Sequence, residues 1–261
     1  MKITKFHTGI ALTTSLLLAA LTGCGAANTA SSSGSASSST SVSASSNSTK
    51  KHTSFFVKDN GDGTKVIKDI DGKEVTVPTN PERIADLWHA NNQVVLLLGG
   101  AEKLVSTTST VKSLAWFKQV YPGIEKVDAP VKGTDVNMEQ LLADKPEVLL
   151  ASSKEQIAKA AEAGIPAVHV EFQNFADLEP FADLIAEVIG TDEAIERAEK
   201  YLAYLEKNEN LIKERLQGVT ESPKVLHIAG GSDLTKVDGS NSLIGEWMKL
   251  SGAKNSLDGV E

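Results

Sequence analysis

From residue 64 onward the chain switches repeatedly between the two-residue apolar spacing of strands and the three-to-four-residue spacing of helices. Thr64 to Val77 (TKVIKDIDGKEVTV) alternates apolar and polar residues around Asp71-Gly72, which predicts a β-hairpin. Pro78 and Pro81 then break the chain. Arg83 to Trp88 predicts a first buried strand, Asn91 to Leu98 a helix closed by Gly99-Gly100, and Lys103 to Thr108 a second strand. Val111 to Val127 is irregular and aromatic, with Trp116, Phe117 and Tyr121. Asn137 to Ala143 predicts a short helix in which Asn137 and Gln140 have capping-box spacing. Pro146 ends it, and Glu147 to Ala151 predicts a strand. Lys154 to Ala163 predicts a helix stopped by Gly164, Ile165 to Phe172 a strand, and Asn174 to Ile189 a helix closing at Gly190.

Strands alternating with helices predict an α/β fold, a parallel sheet with helices on both faces. In such sheets ligands bind beyond the carboxyl ends of the strands. That rule singles out Trp88-His89, Thr107 to Thr110, Ser152-Ser153 and Glu171. Thr191 to Gln217 then carries one long apolar stripe through Ala194, Ile195, Ala198, Tyr201, Leu202, Leu205, Leu211, Ile212 and Leu216. A helix of that length spans about 40 Å, which suits a strut between two lobes. Beyond it, Lys224 to Ala229 predicts a strand, followed by Gly230-Gly231-Ser232 and a helix from Ser242 to Leu250. One strand cannot make a sheet, so the second lobe is expected to be incomplete and the chain truncated in mid-domain.

The first fifty residues follow another pattern. Lys2 and Lys5 precede an apolar run from Ile10 to Leu21, shorter than the roughly 20 residues a membrane-spanning helix needs. The run fits a signal peptide. It ends in Leu21-Thr22-Gly23-Cys24, which resembles the bacterial lipobox and implies cleavage before Cys24 and diacylglyceryl attachment to its sulfur. Cys24 is the only cysteine, so it has no internal disulfide partner. Residues 25 to 54 are mostly Ser, Ala, Thr, Gly and Asn, the composition of a flexible linker with a reach of about 30 Å. The expected organisation is a signal peptide (1–23), a lipidated linker (24–54), a hairpin lead-in (55–81), a first α/β lobe (82–190), a linking helix (191–218) and a partial second α/β lobe (219–261). The mature protein would sit lipid-anchored on the outer face of a bacterial cytoplasmic membrane, at a Gram-positive cell surface.

The net charge of −8 argues against a nucleic-acid partner, which wants basic stripes. No G-x-S-x-G, Walker A or H-E-x-x-H pattern occurs, and the expectation is a binding protein rather than an enzyme.

Four stretches together resemble the iron-complex and vitamin B12 class of ABC-importer solute-binding proteins, the class III periplasmic-binding family. They are Asp69-Ile-Asp-Gly72 through Pro81-Glu-Arg-Ile84, then Val94-Val-Leu-Leu-Leu-Gly99 with Lys103-Leu-Val105, then Asn137-Met-Glu-Gln-Leu-Leu142 with Lys145-Pro-Glu-Val148, and Leu250-Ser-Gly-Ala-Lys-Asn255. The resemblance implies two α/β lobes joined by one rigid helix and capture of a ferric siderophore-like complex. Haem, cobalamin or an oxyanion such as molybdate are the alternatives on the same fold. It also implies delivery to the transmembrane subunits of a permease, with Glu139 pairing with permease arginines, and the chelate as cargo with no resident cofactor. A second "S-x-E-x-L" segment of the family is absent here.

The candidate ligand contacts are Trp88 and His89 after the first strand, Trp116 on the cleft rim, Lys132 before Gly133, and Gly231 with Ser232 after the second-lobe strand. Trp88 is either a stacking surface or a core residue, and Trp116 either lines the cleft or covers the sheet. Lys132 would attract an anion, and Gly230, Gly231 and Ser232 would offer backbone N–H groups to one. His169 and His227 sit inside strand patterns, where core positions are expected. Three histidines with Glu171 are the elements of a direct metal site only if the strands converge.

Overall fold

The structure, a computed structural model, describes residues 51–133 and 135–259; the signal, linker and Cys24 expectations lie outside the described residues. It opens with an antiparallel sheet of β1 (Phe56–Asp59), β2 (Thr64–Lys68) and β3 (Glu74–Pro78). β2 and β3 pair from Thr64↔Pro78 to Lys68↔Glu74, and Gly72 takes φ 80° in the turn. The hairpin is as expected; β1 is an addition.

The first lobe follows in the order β4 (Ile84–Asp86), α1 (His89–Leu97), β5 (Leu104–Thr108), α2 (Ser109–Ser113), α3 (Ala115–Val120), β6 (Asp128–Lys132), β7 (Asp135–Val136), α4 (Met138–Ala143), β8 (Val148–Ala151), α5 (Lys154–Glu162), β9 (Ala167–His169) and α6 (Phe175–Ile189). Its sheet has the order β7-β6-β5-β4-β8-β9, with β7 antiparallel to β6 and the other neighbours parallel. All of β4 and β8 is buried, as a parallel strand covered on both faces must be. Successive residues serve opposite layers. Ile84, Val148 and Leu150 join α1 and α6 in one core, while Ala85, Leu149 and Ala151 join Leu141 of α4 and Ala160 of α5 in the other.

Local chemistry sets the helix ends. Asn174 caps α6, with Asp177 completing a capping box, and Gly190 ends it at φ 77°. A Cβ on Gly190 would run into the Thr79 carbonyl oxygen. Asn137 caps α4 by accepting the Gln140 N–H, the half of the expected capping box that the geometry shows. Val111 to Val127, read as irregular, forms α2, α3 and a 3-10 turn. The pattern also missed β6 and β7, because Asp128-Ala-Pro-Val-Lys132 lacks a clear alternation.

α7 (Asp192–Arg215) is the expected long helix, capped by Thr191. Only Ala194, Ile195 and Ala198 of it are buried, and Tyr204 and Leu211 are exposed. Past it lie β10 (Lys224–Val225), β11 (Ile228–Gly230), β12 (Asp233–Val237), α8 (Leu243–Leu250) and β13 (Lys254–Asn255). Here the strand read over Lys224 to Ala229 is split. β10 pairs in parallel with β13, and β11 turns back on β12 as an antiparallel hairpin. Gly231 and Ser232 are therefore a hairpin turn, with Gly231 at φ 59°, and not a strand-to-helix loop.

One buried ion pair ties the lead-in sheet to the lobe. Lys65 of β2 is fully buried and its Nζ donates to Glu187 Oε1 of α6 at 2.8 Å, the carboxylate being 1% exposed. His52 Nδ1 at 3.0 Å, the Thr53 N–H at 2.9 Å and the Thr53 hydroxyl at 3.3 Å are further partners of that carboxylate. Burial pushes the Glu187 carboxyl up, but the Lys65 charge and the bonds from Lys65, Thr53 and His52 outweigh it and hold the group below its ordinary 4.5. A folded value below the unfolded one gives stability that is complete above about pH 4.5 and lost as pH falls through the folded value.

Two outcomes are expected from denaturant unfolding. Lys65→Met, which strands Glu187 without its cation, costs about 3–5 kcal/mol. Glu187→Gln lowers stability at neutral pH and flattens the decline of stability on acidification. A wild-type-like acid limb in the Gln variant would rule out this carboxylate as its source.

Candidate functional site

The parallel strands deliver their following loops to one end of the lobe. Across that rim the order is Lys132 at the end of β6 with Gly133 after it, Ser109 and Thr110 after β5, Trp88 and His89 after β4, Ser152 and Ser153 after β8, and Glu171 after β9. The ladder fixes these as neighbours: Thr108 is in register with Val131, Asp86 with Leu150, and Ala151 with His169. The chain reverses its direction of build-up between β4 and β8, so the switch point that favours ligand binding lies beside His89 and Ser152.

A buried polar network shapes the turn from β4 into α1. Asp86 is fully buried; its Oδ1 accepts the Trp88 N–H at 3.1 Å and its Oδ2 accepts the Asn91 side-chain amide at 3.0 Å. Asn92 Nδ2 donates to the carbonyls of Asp86 and Trp88, each at 3.0 Å, and its Oδ1 accepts from Thr107 Oγ1 at 2.7 Å. These bonds hold the start of α1 in place with no acidic residue in its first turn, leaving the positive end of the helix dipole uncompensated. Burial pushes the Asp86 carboxyl well above the ordinary carboxylate range, against the two hydrogen bonds that favour its ionised form. Sequence reading missed this network. Its signal was a lone Asp in an otherwise apolar strand, answered five and six residues later by Asn91-Asn92.

The predicted site residues meet different fates. Trp88 caps α1 with its backbone, and its ring packs at 5.2 Å from Phe172 and edge-on at 5.8 Å from Phe181, half-buried against the core. His89 is exposed at the first position of α1, and Lys132 is exposed at the end of β6. Trp116 is 37% exposed, one ring face stacked at 3.8 Å on the buried Phe117. It lines a cavity of about 500 Å³ with Phe172, Gln93, Leu97, Arg197 and Tyr201, on the flank of α1. Glu139 is the second residue of α4, exposed and without an ion pair among the described residues. Gly231 and Ser232 are exposed, and no hydrogen bond or ring contact joins them to the rim among the described residues.

The histidines do not converge. His169 is buried, with Nδ1 3.0 Å from Asp71 Oδ2 and Nε2 3.2 Å from the Ser152 carbonyl. Asp71 is held below its ordinary range by Lys154 and then by His169. His227 pairs with Asp238 at 2.5 Å. Among the described residues no three His, Cys, Asp or Glu side chains are placed to hold a metal ion. The C-terminal segment approaches the rim through α8: Glu246 accepts the Phe175 N–H at 2.6 Å, and Trp247 stacks on Phe175 at 6.3 Å.

The chain belongs to the periplasmic binding protein family, whose sequence model matches residues 84–259. It is 23% identical over 200 residues to an uncharacterized ABC transporter substrate-binding lipoprotein, YvrC, of Bacillus subtilis, and 24% identical over 216 residues to the molybdate-binding protein MolA of Haemophilus influenzae. Each alignment covers 73% of this chain and 60% of the relative, so the chain spans about 60% of the length of these curated relatives. A solved periplasmic solute binding protein from Veillonella parvula superposes with TM-score 0.63 at 24% identity, over 76% of this chain and 61% of that one. The molybdate-bound MolA structure gives 0.62 at 23%, over 73% and 65%. These likenesses establish the periplasmic-binding α/β fold.

The raised Asp86 pKa makes a signed prediction. A carboxyl whose folded value exceeds its unfolded one contributes stability that is present at low pH and lost as pH rises through the folded value. Asp86→Asn, which cannot ionise, should therefore gain on the wild type with rising pH, by at most about 1.4 kcal/mol per pH unit. Parallel stability–pH curves for the two proteins above pH 5 would refute a buried neutral acid here.

Proposed function

We propose that this chain is the solute-binding lipoprotein of an ABC importer, anchored through Cys24 outside the cytoplasmic membrane, and that it captures an anionic metal complex of the ferric siderophore type. The observation that carries the reading is the rim. His89, Lys132 and the hydroxyls of Ser109, Thr110, Ser152 and Ser153 stand at the carboxyl end of a doubly wound sheet in a chain of the periplasmic binding protein family. With the uncompensated N-terminus of α1, this surface favours an anion. The relative that binds molybdate supports an oxyanion as the second reading, and haem and cobalamin remain on the same fold. Trp116 and its cavity would add an apolar, planar contact, while Trp88 would act by shaping the wall. Glu139, exposed in the first turn of α4 and without an ion pair among the described residues, would meet cationic side chains of the permease. The second lobe is proposed to be only partly present: β10 to β12 are exposed along nearly all their length, as are Leu234 and Trp247.

Fluorescence titration of the chain, whose tryptophans are Trp88, Trp116 and Trp247, should give a saturable response to a ferric siderophore, and Lys132→Ala should weaken it about tenfold or more. Saturation by molybdate alone would select the oxyanion reading; no response to siderophore, haem, cobalamin or molybdate would sink the importer assignment. In cells, Glu139→Ala is expected to leave ligand affinity unchanged while lowering uptake. Weakened binding with normal uptake kinetics at saturation would remove Glu139 from the docking role.

A further inference from the structure

We infer that residues 51–55 form a strap that locks the polypeptide arriving from Cys24 onto the end of the first lobe opposite the rim. Three groups of the strap converge on one buried carboxylate. His52 Nδ1 lies 3.0 Å from Glu187 Oε1, and the Thr53 N–H and hydroxyl lie 2.9 and 3.3 Å from Oε2. Because a carboxylate only accepts, Nδ1 of His52 carries the proton of that bond. Lys65 holds the same carboxylate from the β2 side, so Glu187 joins three separate pieces of chain. The His52 ring lies 3.6 Å from that of Phe56 and nearly parallel to it, so it cannot swing outward without giving up the stack. Before it, the Lys51 N–H donates to Asp192 Oδ1 at 3.2 Å, and Lys51 Nζ lies 3.7 and 3.8 Å from Glu196 and Glu199 on the first turns of α7. Those last two pairs are exposed and add little. The Glu187 contacts are the fastening.

Position gives the strap its consequence. Glu187 is in the last turn of α6, whose end is fixed by Lys103 Nζ reaching Asn80 Oδ1, the Pro81 carbonyl and the Ile189 carbonyl. Asn80, Pro81 and Lys103 precede β4 and β5, so the strap meets the lobe at the amino ends of the strands. The rim lies a strand's length away, about 15 Å for five residues. The fastening therefore holds residues 51–55, which precede β1, at the end of the lobe away from His89, Lys132 and Ser152. The device works whatever the ligand is.

Hydrogen exchange of the whole chain, read at the Thr53 amide, tests it. In the wild type that amide should exchange at least about tenfold more slowly than in a free peptide of residues 45–56, the protection of one charge-assisted hydrogen bond. His52→Ala should raise its exchange several-fold, and speed tryptic cleavage after Lys51 to match, while amides of β4 and β8 stay protected. Glu187→Gln should loosen the strap further, and His52→Ala remains readable if that variant unfolds. Peptide-like exchange at Thr53 in the wild type, or unchanged exchange in His52→Ala, overturns the strap.

Discussion

A parallel strand leaves both of its faces in need of cover, and the first lobe is built around meeting that need. β4 and β8 alternate their side chains between two cores, one closed by α1 and α6, the other by α4 and α5. Covering both faces requires crossovers, and crossovers of parallel strands return every β-to-α turn to one end. The rim is thus a consequence of burial. His89, Ser109, Lys132, Ser152 and Glu171 are far apart in sequence, yet no separate interaction is needed to gather them. Whatever binds there meets a surface whose polar groups come from five different turns.

Continuous burial has a cost where polar groups must cross it, and the lobe meets that cost in two different ways. At the rim end, Asp86 lies under α1 with neutral partners only, so burial favours its protonated form and the turn is held by amides. At the opposite end Glu187 keeps its charge, because Lys65 and the strap supply a cation and several donors. The two acids make opposite contributions with pH: one stabilises the fold as it loses a proton, the other as it keeps one. Between them the rim turn and the lead-in sheet are fixed to the same helical layer.

Most of this lobe was legible in the sequence because its signals are local. Asn174 and Gly190 mark both ends of α6, Thr191 starts α7, and the stripe through Ala194, Ile195 and Ala198 gives its buried face. The rim followed from the alternation of strands and helices, without any knowledge of side-chain contacts. What escaped was set by partners distant in the chain. Lys65 reads as a solvated strand residue until Glu187, more than a hundred residues on, is brought against it. Trp88 reads equally as a stacking platform or a core residue, and only Phe172 and Phe181 decide that its ring turns inward. Gly230-Gly231-Ser232 resembled an anion loop because Asp233 to Val237, too polar for a buried strand, was not seen to fold back on β11.

The C-terminal segment meets the same constraint poorly, and this bears on how a ligand would be held. β10 and β13 form a parallel pair of two residues each, and β11 and β12 a hairpin exposed along nearly all its length. Two-stranded sheets are marginal unless packed on something larger. What positions this segment is therefore α7, fully buried only as far as Ala198 and half-buried at Tyr201, Leu202, Leu205 and Ile212, and the contact of Glu246 and Trp247 with Phe175. Phe175 opens α6, three residues past the Phe172 that packs on Trp88. The tie between the outer segment and the lobe thus sits beside the rim, where a second wall would close on a ligand. Under the proposed function, the first lobe supplies a rigid, prearranged wall. The opposing segment is tied to that wall at Phe175, by the Glu246 hydrogen bond and the Trp247 stack, beside the rim where a solute would be held.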